Sequence, residues 1–260
     1  MTPPWLRLFQ FVLLFLSLGV ATTTFANNET TELPPNHISI AAEDGWPPFA
    51  DQYGRGISHQ IIETVFERQN VEVRSVIVPY NRALLMAENG DVDAVFNVSR
   101  HKSASDKYLF GKHPLFITNS VVFENTKRPI AARTIKQLAN KTRVGVIKGF
   151  EYDGQILSRN DLEFVVVDNQ YQLINLLLVN RIDAAVMYEK VAESYIKQMG
   201  VATEISKAFV LHTGEIYIGF SKQRPYAQQL VQLFDQGLEE FLQEEVYHNL
   251  IAGYATAPQL

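Results

Sequence analysis

The chain has 260 residues, of which 47% are hydrophobic and 20% are charged, so it can bury one large core or two modest ones. It contains no cysteine, which excludes disulfides, a lipoprotein anchor, thiol catalysis and zinc–thiolate sites. The formal net charge is −5 and no basic cluster stands out, which argues against nucleic acid and anionic membrane surfaces as partners.

The N-terminus has the pattern of an export signal. Residues 8–20 are nearly all apolar, Arg7 precedes them, and Thr-Phe-Ala at 24–26 resembles a small-x-small cleavage site. We therefore predict a cleaved signal peptide over residues 1–26 and a polar leader over 27–36. An uncleaved membrane anchor is the alternative, although the apolar run is shorter than the ~20 residues that span a bilayer. A signal peptide on a cysteine-free chain indicates the bacterial periplasm.

The first half of the chain alternates strand and helix patterns. Period-2 alternation predicts strands, helical spacing of apolar residues predicts helices, and Gly, Pro and aromatic residues at 43–56 predict a long turn. The expected elements are a strand at 37–42, a helix at 57–69, a strand at 71–78, a helix at 81–88, a strand at 92–98 and a long strand at 115–124. Residues 99–107 are expected to form a loop with a helical turn.

The second half repeats this alternation after a break at residues 126–129. The expected elements are a short helix at 134–139 with Thr134 as N-cap, strands at 144–147 and 164–167, a helix at 170–178, a strand at 184–187, a helix at 189–199 closed by Gly200, and a strand at 215–220. A long amphipathic helical region at 225–250, broken near Glu244, ends the chain.

A short pattern occurs twice, and it predicts two similar lobes. Asn-Gly-Asp-Val-Asp-Ala-Val at 89–95 reappears as Val-Asn-Arg-Ile-Asp-Ala-Ala at 179–185. In each copy Gly90 or Asn180 stands where a helix C-cap is expected, because Gly and Asn enter the left-handed conformation cheaply. Degenerate repeats of this length are typical of paired α/β lobes, and a cleft between lobes is a common place for small molecules to bind.

The two β-prone runs at 115–124 and 215–220 flank the second copy, so we expect them to cross between the lobes and act as a hinge. This predicts a discontinuous lobe 1, residues 37–122 plus 219–260, and a lobe 2 over residues 123–218. The expected fold class is α/β and two-lobed, with two crossover strands as the hinge and a ligand cleft between the lobes.

The order of motifs resembles the periplasmic solute-binding proteins that serve polar amino acid ABC transporters, whose fold is the type II periplasmic binding protein fold. Trp-Pro-Pro-Phe at 46–49 resembles the family's aromatic turn, and the two Asp-Ala strands at 93–94 and 183–184 resemble its paired strands. Pro-Tyr-Asn-Arg-Ala at 79–83 is similar to a subgroup that often lacks a paired transporter. The resemblance covers the chain from about Ile38 to its end.

Two positions depart from what the resemblance implies. The family's carboxylate-binding arginine falls at Ser105 or Ala104, and its amino-binding aspartate falls at Tyr188, beside Glu189. Since an amino acid is held by a guanidinium at one end and a carboxylate at the other, an ordinary amino acid is a doubtful ligand here.

Seven residues are the expected ligand contacts. Trp46 is expected to stack on the ligand, Arg82 to replace the missing carboxylate clamp, and Tyr188 to hydrogen-bond the ligand. The others are Tyr80, Asn97, Arg100 and Phe150, and each has a structural alternative such as a loop aromatic or a solvated surface charge. Lys102 is more simply a solvated charge. Lys148, Phe150 and Tyr152 surround Gly149, where a helix N-terminus is expected to receive an anion.

Enzyme and cofactor motifs are weak. Asp93 and Asp183 are expected to brace the junctions between helix and strand, because each recurs in the repeat. The sequence has no Gly-x-Ser-x-Gly elbow, no phosphate-binding Gly-x-x-x-x-Gly-Lys loop and no metal spacing among its six histidines, so we predict no cofactor and no metal. A dehydratase or lyase on the same scaffold, with Glu43 or Glu189 as general acid, is the alternative.

We therefore predict a monomeric periplasmic solute-binding protein that captures a small polar or anionic solute, with an amino-acid-like solute among the candidates. Its expected partner is an ABC permease or a membrane sensor that recognises the closed lobes.

Overall fold

The computed structural model describes residues 36–150, 152 and 154–258. The predicted signal peptide at 1–26 and nearly all of the predicted leader at 27–36 lie outside the described residues. Across the described part of the chain, none of the helices is long and apolar enough to cross a bilayer.

The first half of the described chain alternates short strands with helices, as its hydrophobic periodicity predicts. Its strands are β1 (His37–Glu43), β2 (Gly45–Trp46), β3 (Ala50–Asp51), β4 (Glu72–Val78), β5 (Ala94–Ser99), β6 (Tyr108–Phe110) and β7 (Phe116–Asn125). Its helices are α1 (Ile57–Arg68), α2 (Tyr80–Asn89) and α3 (Lys102–Lys107).

The second half repeats the order and then adds two C-terminal helices. Its strands are β8 (Arg143–Ile147), β9 (Glu163–Val167), β10 (Ala184–Tyr188) and β11 (Ile205–Ser221). Its helices are α4 (Gly154–Leu157), α5 (Gln170–Leu178), α6 (Glu189–Gln198), α7 (Ala227–Phe241) and α8 (Glu245–Ile251), with a 3₁₀ turn at Ile135–Gln137.

The strands form one mixed sheet whose order is β4-β1-β5-β11-β7-β10-β8-β9, with β6 paired to β11. On one side β1 runs parallel to β4 and β5, and on the other β8 runs parallel to β9 and β10. The two long strands β7 and β11 lie antiparallel between these sets, from Ile205 opposite Asn125 to Ile216 opposite Phe116. This arrangement confirms both the internal repeat and the pair of crossing strands.

Both copies of the repeat end their helix in the same way. Gly90 has a φ of 79° and Asn180 a φ of 54°, and both N–H groups donate to the carbonyl three residues earlier. In each case the next N–H then reaches back five residues, as in a Schellman-type C-cap. The prediction that Gly90 and Asn180 are left-handed C-caps is therefore confirmed.

Three local predictions were wrong. Strand β11 begins at Ile205, ten residues before the expected start, because its first part is stabilised by pairing with β7 rather than by a buried face. Residues 108–110 form strand β6, which was not expected. Thr134 accepts no side-chain capping hydrogen bond in the described chain, and only a single 3₁₀ turn follows it.

The apolar cores lie on either side of the central strands. One cluster packs α1, α7 and α8 against the faces of β1 and β5, and includes Trp46, Phe116 and Phe234. Two others pack α5 and the segment around Tyr152 against β8 and β10. The partly buried ring of Phe150 packs against all three clusters, which places it at the junction of the two halves.

Candidate functional site

The aromatic turn after β1 brings Trp46 to the middle of the molecule. Strands β2 and β3 form a small hairpin that turns through two prolines, and Gly56 then opens α1. A side chain at Gly56 would lie 2.2 Å from the carbonyl oxygen of Phe49, so only glycine permits this close return of the backbone. Trp46 is 2% exposed, and its ring lies 4.9 Å from the ring of Tyr188 in the other half of the chain.

A buried polar cluster lies beside this turn, at the ends of β1 and β5. Asn97 has a φ of 62°, and its Nδ2 donates to Oε1 of Glu43 at 2.9 Å. Ser58 Oγ donates to Asn97 Oδ1 at 2.5 Å, and the Tyr80 hydroxyl donates to the Asn97 carbonyl at 3.4 Å. Both Glu43 and Asn97 are buried, which is tolerable because their polar atoms are hydrogen-bonded.

Aromatic rings from the second half of the chain complete the enclosure. Tyr188 ends β10, and its hydroxyl lies 3.2 Å from Ser99 Oγ. The Phe150 ring lies edge-on to Tyr80 with centroids 5.4 Å apart, and 6.2 Å from Tyr188. Together with Glu43, Trp46 and Asn97 these rings enclose an inner pocket of about 10 Å³. Side chains therefore fill nearly all of the inner cleft.

A much larger cavity of about 500 Å³ lies next to the inner pocket, against the two central strands. Tyr188 borders both spaces. The cavity combines a guanidinium, two imidazoles, one carboxylate and several hydroxyls: its lining includes Ser99, Arg100, His101, Ser120, Tyr152, Tyr188, His212, Thr213 and Glu215. Its volume lies within the ~300–1,000 Å³ of typical small-molecule sites.

The structure brings six of the seven expected ligand contacts to these two spaces. Five line the inner pocket and two, Arg100 and Tyr188, line the larger cavity: Trp46, Tyr80, Asn97, Phe150 and Tyr188 belong to the first set. Arg82 is the exception, because it is exposed on α2 and lines neither space. The cationic group at the cleft is therefore Arg100 and not Arg82. Lys102 is exposed and lies 3.6 Å from Asp106, in agreement with a solvated charge.

Three hydrogen bonds join the two halves around the cleft. Besides the contact between Tyr188 and Ser99, Asn81 Nδ2 donates to the Lys148 carbonyl at 3.2 Å. The Tyr195 hydroxyl donates to the Gly45 carbonyl, also at 3.2 Å. These contacts, with the packing of Trp46 on Tyr188, hold the cleft shut.

The predicted anion site at Gly149 was wrong. The next helix is the four-residue α4, which begins at Gly154, so no helix N-terminus starts at Gly149. Instead Gly149, with a φ of 80°, lies against the Asn81 side chain, whose Oδ1 would be 1.7 Å from an added Cβ.

Asp93 and Asp183 brace the junctions between helix and strand, as predicted. Asp93 Oδ2 accepts hydrogen bonds from the N–H and hydroxyl of Ser39, at 2.8 and 2.7 Å. Asp183 accepts from the Arg143 N–H at 3.0 Å and from the Arg143 guanidinium. Hydrogen bonds from Arg143, partly offset by burial, lower the pKa of Asp183. Both carboxylates thus tie the repeated strand to the first strand of its own half.

Glu189 is held as a carboxylate, which disfavours it as a general acid. Partial burial raises the pKa of Glu189, but hydrogen bonds from Lys207 and Asn119 outweigh burial and leave the pKa below its usual value. The distances are 2.5 Å from Lys207 Nζ and 3.0 Å from Asn119 Nδ2. A general acid at neutral pH needs a raised pKa.

The sequence-based reasoning did not find the contribution of β11 to the larger cavity. His212, Thr213 and Glu215 line it, although only Glu215 fell within an expected strand. The alternating apolar pattern begins only at Glu215, so nothing before it signalled a strand. Among the described residues, no cluster of three or more metal-ligating side chains is present.

Comparison with solved structures shows the same fold in known binding proteins. An ancestral arginine-binding protein bound to arginine is 19% identical with a TM-score of 0.71, covering 84% of this chain and 97% of that one. An arginine third transport system periplasmic binding protein from Legionella pneumophila is 18% identical with a TM-score of 0.71, covering 84% and 99%. A mutant of ArgBP from T. maritima is 18% identical with a TM-score of 0.70, covering 83% and 93%. At these identities the likeness shows the two-lobed fold alone.

A search of curated protein sequences found no match. The description of one protein family, in contrast, matches nearly the whole described chain, from residue 38 to residue 257. This span includes both copies of the repeat, both central strands and every residue of the two cleft spaces. The chain therefore belongs to the bacterial extracellular solute-binding proteins, family 3.

Proposed function

We propose that this protein captures a small polar or anionic solute between its two lobes and presents it to an ABC permease or a membrane sensor. The observation that carries the proposal is the convergence at Tyr188, where side chains from both halves line two adjoining spaces. A solute that contacts both halves stabilises the closed form, because it binds that form more tightly than the open one.

The central strands supply the hinge in this proposal. Strands β7 and β11 pair along most of their length and connect the β5 side of the sheet to the β10 side. Their two register shifts, between Lys207 and Phe209 and between Val210 and His212, lie in β11 between the halves. Bending at such irregular positions opens and closes lobes at little cost to the cores.

The proposed solute need not be an ordinary amino acid. Two of the solved structures are of proteins bound to arginine and glutamine. In the present chain Ser105 or Ala104 stands where the family resemblance implies a carboxylate-binding arginine, and Tyr188 where it implies an amino-binding aspartate. A ligand of this protein must therefore use other groups of the cleft.

Binding without turnover is the proposed activity. The described carboxylates that were candidates for acid catalysis are engaged: Glu43 accepts a hydrogen bond from Asn97, and Glu189 from Lys207. The predicted signal peptide supports a periplasmic location, and we propose that the mature protein acts there as a monomer. Gel filtration with light scattering checks the monomer.

A thermal-shift screen tests the proposal. The panel comprises amino acids, dicarboxylates, polyamines and aromatic acids, added to the protein from residue 27 onward. At least one class is expected to raise the melting temperature saturably, by mass action on the folded state. If no compound does so, or if a compound is consumed with formation of a product, the binding proposal fails.

A further inference from the structure

A single tyrosine of β11, Tyr217, contacts both of the opposite charges that line the larger cavity. Its hydroxyl donates to Oε2 of Glu215 at 2.6 Å. The guanidinium carbon of Arg100 lies 5.6 Å from the centre of its ring. Tyr217 is 3% exposed, so packing fixes its ring between the two charged residues.

The strand register explains why these three residues meet. Glu215 and Tyr217 are two residues apart on β11, so their side chains point to the same face of the sheet. Strand β5 pairs beside them, with Val98 opposite Tyr217 and Ser99 opposite Ile216. Arg100 follows directly after that strand. The sheet, rather than a long loop, therefore sets the positions of both charges.

Both charged groups keep hydrogen-bonding capacity toward the cavity. Burial, with a further effect of the hydrogen bond to Glu215, raises the pKa of Tyr217 to about 12. The phenol is therefore a donor at neutral pH and orients the carboxylate of Glu215, which can accept further hydrogen bonds. Arg100 donates through Nη1 to the Gly111 carbonyl at 3.3 Å, and a guanidinium carries five N–H donors in all.

We propose that Arg100 and Glu215, positioned by Tyr217, hold a solute that carries both an anionic and a cationic group against strand β11. This inference rests on the proposed function and names the residues that select the solute. It places the selective charges beside the hinge strand, away from the inner pocket that Trp46, Phe150 and Tyr188 fill. Arg100 binds the acidic group of the solute and Glu215 its basic group.

Probes of matched shape test the charge requirement. We would compare γ-aminobutyrate with butyrate and butylamine, and add L-arginine and L-glutamine, in titration calorimetry. Saturable binding of a zwitterion that exceeds that of the singly charged analogues supports the proposal. Binding only of butyrate, butylamine or other singly charged members of the wider panel overturns it and leaves the proposed function intact. Binding of nothing in the wider panel counts against the proposed function itself, and the inference falls with it.

Substitutions then locate the two contacts. Arg100→Ala and Glu215→Gln are each expected to weaken the best zwitterion by roughly tenfold or more, the scale of a hydrogen bond to a charged group. Arg181→Ala and Glu163→Gln serve as charge-matched controls, since both side chains are exposed outside the two spaces. Unchanged affinity in Glu215→Gln, or equal losses in the controls, contradicts the assignment.

The positioning role of Tyr217 is separated from a merely structural one by a double-mutant cycle. Tyr217→Phe keeps the ring beneath Arg100 but removes the hydrogen bond to Glu215. It is expected to weaken the zwitterion several-fold in the natural sequence and to have little further effect in the Glu215→Gln background. Equal effects in both backgrounds show that the hydroxyl does not act through Glu215, and overturn the positioning role.

Discussion

The ring of Trp46 meets the ring of Tyr188 edge-on, with centroids 4.9 Å apart and planes at 80°. Trp46 follows the first strand of the chain and Tyr188 ends the last strand of the repeat, so this one contact joins the two halves. The Tyr188 hydroxyl also lies 3.2 Å from Ser99 Oγ, which borders the larger cavity. A solute in that cavity is thus one residue away from the aromatic contact that closes the cleft.

Trp46 is therefore expected to report ligand binding. The sequence has two tryptophans, Trp5 and Trp46, and only Trp46 follows the predicted signal peptide. Saturating solute is expected to shift the emission of the protein that starts at residue 27, because the ring contacts Tyr188. Trp46→Ala is expected to abolish saturable binding and to lower the free energy of unfolding by about 3–5 kcal/mol. Trp46→Phe is the matched control, and normal binding by Trp46→Ala contradicts a role for this ring.

Gly149 is expected to limit how closely the lobes approach. An alanine Cβ would lie 1.7 Å from Asn81 Oδ1 and would hold a φ of 80°, which costs a non-glycine residue about 1 kcal/mol. Gly149→Ala should displace Asn81, break its hydrogen bond to the Lys148 carbonyl and favour the open form. Small-angle scattering should show a larger radius of gyration than for the natural chain.

The variant Asn81→Ala separates the two causes of this opening. It removes the hydrogen bond without the steric conflict, so Gly149→Ala should have a smaller effect when added to it. An unchanged radius of gyration and unchanged solute affinity in Gly149→Ala would show that this contact does not control closure.

Asp183 is expected to stabilise the second half of the chain above acidic pH. Its pKa is lowered in the folded protein, so its contribution is present above the unfolded value of 3.8 and is lost as the pH falls through the folded pKa. Asp183→Asn is expected to cost about 1–3 kcal/mol at neutral pH, since Arg143 loses its ionised partner. Urea unfolding measures this, with exposed Asp91→Asn as control. Equal midpoints for the two variants would contradict the bracing role.

The repeat was readable from sequence because its signals are local. The C-caps at Gly90 and Asn180, the apolar strands after them and the periodic helices before them depend on residues close together in the chain. The braces at Asp93 and Asp183 were inferred from their recurrence alone, and the structure supplies their partners, Ser39 and Arg143.

The charged groups of the cleft were harder to predict because strand pairing places them. Arg82 and Arg100 are both arginines near the end of a strand, and only the sheet shows that the second one lies beside β11. His212 lies in a part of β11 with exposed side chains, where pairing with β7 replaces hydrophobic periodicity as the cause of the strand. Such pairing depends on residues about ninety positions away in the chain, such as Ser120 opposite His212.

His59 is expected to make the protein less stable in mild acid. It is 2% exposed on α1, with its ring edge-on to Phe96 at 4.9 Å. Burial lowers its pKa below 6.5, and the charge of Asp51 only partly offsets this. A lowered pKa in the folded state means that His59 leaves stability intact above pH 6.5, and that stability falls as the pH drops from 6.5 toward the folded pKa.

The slope of this loss approaches about 1.4 kcal/mol per pH unit for one group. Unfolding free energies measured by urea between about pH 5 and pH 8, the range in which histidine titrates, test it. His59→Leu should flatten the dependence, because it removes the group that gains a proton on unfolding, whereas exposed His248→Gln should leave the slope as it is. If the two variants keep the same slope as the natural chain, the acid sensitivity arises elsewhere.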